Sequence, residues 1–494
     1  MGVIQKQTIK GSIYSYLGVV IGFITTGYFL PEYFSVEENG LIKLLVSYSI
    51  IFAQFASLGF NRVITMLFTY FRDFKNKHNG FLFITAIVIL IGFVLAIIVF
   101  LLLKTYILGK GAERSALFAD YFYYIIPLIF VTLLFTTLDN YNKVLFNAVR
   151  GIFLKEFLQR IVILLDVILF YFGFVNFQLF VIIYIIAFSL PPIIIMVLLI
   201  KEGNFNLRPQ LNFITKDFRS KMINISIFGV LTSFSGILIL NIDAVMINSM
   251  LGIAETGIYA ITFFFGSIIL IPSRSLIKIS SVVIADSWKE NNLEIINKIY
   301  YKSCLNQLIF ASLLFVGIWA NINNVFEILP SEYIAGKYVI FFIALSSLIK
   351  MAGGVNNMIL FTSKYYKIHT LFILIFVIVI VVSNIIFIPM YGIVGAALAS
   401  ALSNFVFMFI EFVFLRIKFN FQPYNYKFLV VLAIGGFAYL ISFFVPILDN
   451  FILDIIVRSL LITFIFVGMI LIFKISEDIN QKAKQLINFI KKIN

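Results

Sequence analysis

Lys43, Arg62, Asp139, Lys143, Arg160, Asp166, Asp243, Arg274, Lys278 and Lys350 stand in stretches otherwise built of Leu, Ile, Val and Phe. An ionisable side chain in such surroundings costs free energy unless it meets a partner or a wet cavity. The cations suggest an anion site. Arg grips phosphate through two parallel hydrogen bonds, and Lys acts as a compact point charge. Arg274 and Lys278 are four residues apart, on one helix face, just after Pro272. Arg62, Lys278, Arg274, Lys43 and Lys350 are the candidate ligands for an anionic head group. The alternative is that Arg62 and Lys278 snorkel to lipid phosphates at the inner surface. Asp243 follows Asn241 in an apolar run; it and Asp139 suit proton or cation binding, or else pairing with a basic residue. Arg160 and Asp166 read as structural groups paired with neighbours.

The elements that carry these residues span a membrane. Of 494 residues, 62% are apolar and 12% charged, against roughly 25% charged in a soluble domain. Apolar stretches near the ~20 residues of a membrane helix recur throughout. Hydropathy and turn signals place spans at 8–30, 41–70, 81–103, 121–149, 153–173 and 178–200. The next six are at 222–250, 254–287, 303–320, 338–362, 370–388 and 393–415, and the last two at 428–446 and 451–473. With the N-terminus inside, the inner loops hold about 25 Lys and Arg and the outer loops about four. A missed span would invert every later loop, so the count is even and both termini are cytoplasmic. The first apolar run is too long for a signal peptide and is read as a retained span.

The net charge of +14 follows this loop topology rather than a nucleic-acid partner. Single Cys304 excludes an internal disulfide, and no metal set or cofactor motif is present. His78 and His369 are expected to be solvated or interfacial. No loop is long enough for a soluble domain. The tail, 476–494, has apolar residues at helical spacing among lysines, as in an amphipathic helix on an anionic leaflet.

The chain carries an internal repeat. Glu38-Asn39-Gly40-Leu41-Ile42 matches Glu255-Thr256-Gly257-Ile258-Tyr259, Ser12-Ile13 matches Ser226-Ile227, and Asn142–Phe146 matches Asn357–Phe361. The turn at Val175-Asn176 falls opposite Tyr391-Gly392. Six-span repeats enter the membrane in the same direction. The expected organisation is an N-lobe (1–215), a C-lobe (216–425), two extra helices (426–475) and the tail (476–494). This is an all-α integral membrane protein of about fourteen helices, its two lobes around a central cavity that suits alternating access.

Asp243-Ala244-Val245-Met246, Leu251-Gly252 and Glu255–Tyr259 resemble the seventh-to-eighth helix junction of bacterial polysaccharide flippases. Pro389-Met390-Tyr391-Gly392-Ile393-Val394-Gly395-Ala396-Ala397-Leu398-Ala399 resembles their eleventh-to-twelfth junction. Those flippases belong to the multidrug/oligosaccharidyl-lipid/polysaccharide exporter superfamily. The resemblance implies a transporter, not an enzyme, that carries undecaprenyl-diphosphate-linked O-antigen or capsule repeat units across the bacterial inner membrane. It implies a lipid-linked oligosaccharide substrate, a lipid environment and polysaccharide polymerase machinery as partners. No G-x-x-x-x-G-K-[ST] loop is present, so energy comes from an ion gradient, the membrane potential or downhill use of the product.

Three rival readings stand beside this one. A drug/cation antiporter of the same superfamily calls for an acidic or neutral cavity, against the excess of Lys and Arg. A peptidoglycan-precursor flippase shares the basic cavity. A membrane polymerase or glycosyltransferase needs substantial outer loops.

Overall fold

The computed structural model describes residues 3–108, 116–210 and 215–493; the side chains of 3–9, 275, 278, 279, 282, 486, 487 and 489–493 lie outside that description. All regular elements among the described residues are helical. Among the described residues, twelve helices are long and apolar enough to cross a membrane. Two further helices complete fourteen. Tyr426–Ser442 is apolar but only 17 residues long, about 26 Å at 1.5 Å per residue. Residues 148–171 form a continuous helix with a π turn at Phe153–Leu158, and carry Lys155, Glu156, Arg160 and Asp166. The protein is therefore a multi-pass membrane protein.

The chain divides into two compact units, Met1–Ile261 and Thr262–Asn494. In the first unit the core gathers Phe60, Val63, Ile64, Phe68, Phe81 and Tyr141. Small residues bring its helices into backbone contact, as lipid-embedded packing requires. The first span, Lys10–Tyr33, lays Gly18 and Gly22 against Glu156 and Arg160; a Cβ at Gly18 would sit 2.0 Å from the Glu156 carbonyl oxygen. Gly40 and Gly257 cross reciprocally. A Cβ on Gly40 would meet the Ile253 oxygen at 2.1 Å, and one on Gly257 the Val36 oxygen at 1.8 Å. The two glycines of this crossing are those of the two Glu-x-Gly segments.

In the second unit Tyr300, Cys304, Leu308, Val431, Ile434 and Phe466 belong to one core. There the last two spans, Tyr426–Ser442 and Phe451–Ile472, pack on Leu293–Ala320 and on each other. Gly392 turns at φ +60 between the eleventh and twelfth spans, Tyr366–Tyr391 and Ile393–Phe419. The tail forms the helix Glu477–Ile493. Its first turn is tied down by Asp478, which accepts from Lys302 at 2.5 Å and from Asn306 at 3.1 Å.

Three spans are interrupted near their C-terminal ends, a feature hydropathy did not reveal. The second span ends at Ala56 and resumes as Phe60–Phe71, with Leu58 at φ 46 and Gly59 at φ 70. Gly59 is required twice over: its φ disfavours any side chain, and a Cβ would lie 2.1 Å from the Ser226 oxygen of the seventh span, Lys216–Met250. The eighth span, Ile253–Leu270, passes at Pro272 into the helix Ser273–Lys289; Ile271 and Pro272 keep helical dihedrals, so Pro272 marks a bend with a tightened turn. The fourth span stops at Val144 and the tenth at Ala352, each resuming after a short turn. Arg72 closes the fourth-span break by donating to the Val144 oxygen at 2.6 Å, with its guanidinium 4.6 Å from the Phe146 ring. One repeat match does not survive these breaks: Asn142 precedes its break, whereas Asn357 follows its own.

Candidate functional site

Arg62 is the third residue of the half-helix Phe60–Phe71, immediately past the Gly59 turn. That turn brings the half-helix against the seventh span, where Gly229 leaves room for Arg62: a Cβ on Gly229 would lie 3.2 Å from the Arg62 Cβ. Arg62 is half-buried, and its Nη1 donates to Thr232 Oγ1 at 3.1 Å. One hydroxyl partner leaves the guanidinium's other donors for an anion. Arg274 stands just past Pro272, as the second residue of Ser273–Lys289, and is exposed. Its backbone N–H donates to the Ile271 oxygen at 3.3 Å, and its side chain makes no hydrogen bond or ion pair among the described residues. Lys278 lies four residues further along the same helix, and its side chain lies outside the described residues.

Lys43 and Asp243 are neighbours. Lys43 is half-buried in the second span, and the carboxylate that acts on it electrostatically is Asp243 of the seventh. Asp243 is buried and also accepts a hydrogen bond from the Tyr259 hydroxyl at 2.8 Å. A cation expected to hold an anionic ligand and a carboxylate expected to bind a coupling ion thus form one small network. Asp139 and Lys143 likewise pair, at 2.6 Å, one turn apart on the fourth span. Gly151 makes this possible from the facing helix; a Cβ there would lie 1.7 Å from Asp139 Oδ1.

Arg160 bridges Glu156 at 2.9 Å and donates to the Gly18 oxygen at 2.8 Å. Asp166, expected to be paired as well, is buried with neither carboxylate oxygen hydrogen-bonded.

In the second unit Lys350 is exposed near the end of the tenth span, Ser331–Ala352. The charge that acts on it is Glu411 of the twelfth span. Glu411 faces His369 of the eleventh, Nε2 to Oε1 at 3.2 Å. Of the solvated or interfacial states expected of the histidines, burial excludes the solvated one for both. His369 is enclosed by helices, and His78 is buried with its ring 5.2 Å from that of Phe68. Sequence reading missed Glu411 altogether. The one signal was a lone carboxylate in the run Phe407-Met408-Phe409-Ile410-Glu411-Phe412. It also missed Asp454 and Arg458, which form a sealed pair in the fourteenth span. Arg458 Nη2 meets Asp454 Oδ1 at 3.0 Å, and Arg458 Nη1 donates to the Ser442 oxygen at 2.6 Å. Among the described residues no three His, Cys, Asp or Glu side chains could jointly hold a metal ion.

In the first unit Arg62 follows a helix break and Lys43 neighbours the buried Asp243; in the second, Arg274 follows the turn at Pro272 and Lys350 feels the buried Glu411. No protein-family model and no curated protein matches the chain. Solved structures do. The lipid II flippase MurJ, in an inward closed conformation, superposes with a TM-score of 0.73 at 15% identity, covering 94% of this chain and 99% of that one. An inward-facing multidrug resistance MATE family transporter of the MOP superfamily gives 0.65 at 12% identity, covering 82% and 98%. A MOP superfamily transporter from Pyrococcus furiosus gives 0.52 at 13% identity, covering 84% and 95%. At these identities the likeness is one of fold: this chain has the many-helix transporter fold that the MurJ and MATE structures share.

Proposed function

We propose that this protein moves undecaprenyl-diphosphate-linked oligosaccharide repeat units across a bacterial inner membrane by alternating access, supplying lipopolysaccharide O-antigen or capsule synthesis. The carrying observation is the placement of Arg62 after the Gly59 break and of Arg274 after the Pro272 bend, with Lys43 and Lys350 each acted on by a buried carboxylate. A diphosphate needs such cations, and Arg is suited to it by its paired donors. The bias of Lys and Arg between alternate loops supports cytoplasmic termini. A transporter fold without a nucleotide loop leaves an ion gradient, the membrane potential or product consumption as the driving force. Polysaccharide polymerase machinery would take the delivered product.

Flipping a peptidoglycan lipid precursor is the second reading. The observation that favours it is the TM-score of 0.73 to MurJ over 94% of the chain, against 0.65 over 82% for the MATE transporter. Deleting the gene separates the two. The first reading expects viable cells with lost surface polysaccharide and accumulated undecaprenyl-linked repeat units. Loss of viability with accumulated peptidoglycan precursor favours the second. Viable cells with normal polysaccharide and no accumulated lipid intermediate sink both. Arg62→Ala combined with Arg274→Ala is expected to abolish export at normal protein levels.

A further inference from the structure

We infer that Glu411 and His369 form a proton-binding site whose occupancy sets the charge available at Lys350; the role given to Lys350 rests on the head-group reading above. The geometry is a sealed pair. The His369 and Glu411 side chains are 3% and 1% exposed, and Nε2 and Oε1 stand 3.2 Å apart without the alignment of a hydrogen bond. Phe361 and Phe407 flank the imidazole, at 6.3 and 6.4 Å between ring centres. The site gathers three helix ends. His369 is the fourth residue of the eleventh span, Glu411 lies two turns before the end of the twelfth, and Lys350 two residues before the end of the tenth. Because alternate spans run in opposite directions, these ends share one membrane face, where water can deliver a proton.

Among the described residues the other titratable groups facing Glu411 are few. From the ninth span comes Tyr300, and from the segment after the twelfth comes Tyr424. Cys304 lies beside both tyrosines. The short helix Asn356–Thr362 contributes no titratable side chain. The decisive charges are therefore those of Glu411, His369 and Lys350.

Counting them gives the mechanism. With Glu411 ionised, His369 neutral and Lys350 charged, the cluster is neutral, and the ammonium's field is answered by the carboxylate. One added proton, held on Glu411, raises the net charge to +1. In low dielectric that charge is costly alone, and an anion at the exposed Lys350 relieves it. Proton and anion therefore bind with positive coupling, and the coupling is reciprocal.

The test uses the full-length protein in lipid vesicles. Infrared difference spectra taken over about pH 5–8, a range that a buried carboxyl can reach, are expected to show a carboxyl C=O band that grows as pH falls. The band disappears in Glu411→Gln and its midpoint moves in His369→Gln. Binding of a short prenyl diphosphate is then expected to tighten about tenfold from pH 8 to pH 6, to be pH-independent in Glu411→Gln, and to lose its pH dependence in Lys350→Ala while the carboxyl band persists. A wild-type protein with no titrating carboxyl band overturns the proton site. A titrating band with pH-independent binding overturns the linkage. If the band titrates but no prenyl diphosphate binds at any pH, the head-group reading fails and the proton site stands.

Discussion

At the end of the fourth span, Lys143 turns back one helical turn to Asp139 at 2.6 Å, with the lysine side chain 46% exposed. At the end of the tenth span, Lys350 answers to a carboxylate on another helix, and that carboxylate also faces a histidine. The first arrangement is local and satisfies itself. The second is shared among three helices, so a proton or an anion arriving there changes the balance for all three. The contrast extends to other ion pairs. In the first unit Arg160–Glu156 and Arg150–Glu202 keep about a third of their side-chain surface. In the second, Arg458–Asp454 and His369–Glu411 are closed off, while Lys302–Asp478 is as open as the first unit's pairs. Half-exposed pairs screen themselves and contribute little. Sealed pairs contribute little as pairs but punish the loss of one partner, because the other is left buried and charged.

The largest effect should come from breaking the most completely satisfied sealed pair. Arg458 donates to both oxygens of Asp454 and to the carbonyls of Ser442 and Val445, and so closes the C-terminal end of the thirteenth span onto the fourteenth. Arg458→Ala leaves Asp454 with Asn324 and the Leu448 N–H as partners. It should cost about 3–5 kcal/mol, read as a lower thermal midpoint of the detergent-purified protein. Adding Asp454→Asn should return much of that loss. A cost for Arg458→Ala no larger than that of Lys143→Ala would break the contrast between units.

The next prediction tests the contrast in ligand binding. Lys350→Ala should weaken binding of a prenyl diphosphate by about ten- to hundredfold, the equivalent of one charged hydrogen bond. Lys143→Ala, whose cation is already engaged by Asp139, should change it by less than about threefold. Isothermal titration of the two variants at one pH decides this. Equal losses would mean that Lys143 contributes as much as Lys350 and that the local pair does not saturate it.

How much of this was legible in the sequence follows from the range of each interaction. Span number and the tight turn at Gly392 depend on local composition and loop charge, and the structure follows both. The fifth span is a test of that reading, because its charges would disqualify it on apolarity alone. It remains a span because Arg160 and Glu156 neutralise each other within one turn of the helix. The glycines of the Gly40–Gly257 crossing were visible because both Glu-x-Gly segments carry the same small residue at the same place. The break at Gly59 was not visible. A single glycine in an apolar run is tolerated in membrane helices, and only the approach of Ser226 and Val230 on another span makes it obligatory. The enclosure of His369 was hidden for the same reason: its partner Glu411 is distant in sequence, and no spacing rule connects them. Asp243 could be singled out as buried and charged, but its partners Lys43 and Tyr259 come from two other spans. The candidate residues were legible one by one; which of them meet depends on helix packing.

The smallest effect belongs to the open pair outside the spans and probes the screened end of the comparison. Glu202 follows the sixth span, Phe177–Lys201. The hydrogen bond from Arg150 holds its carboxyl below the usual glutamate range, against the opposing pull of burial. A carboxyl held low in the folded state binds protons more readily once unfolded. It therefore stabilises the fold above its unfolded value, near pH 4.3, and that stability fades as pH falls through its folded value. Thermal midpoints of wild type and Glu202→Gln should differ at pH 7 by the equivalent of less than about 1 kcal/mol, because both side chains remain solvated. The difference should close toward pH 3, and added salt should reduce it at pH 7. A gap that persists unchanged into acid would mean that Glu202 acts through packing rather than through charge. Arg150–Glu202 would then cease to be an example of the open, screened pair against which the sealed pairs of the second unit are set.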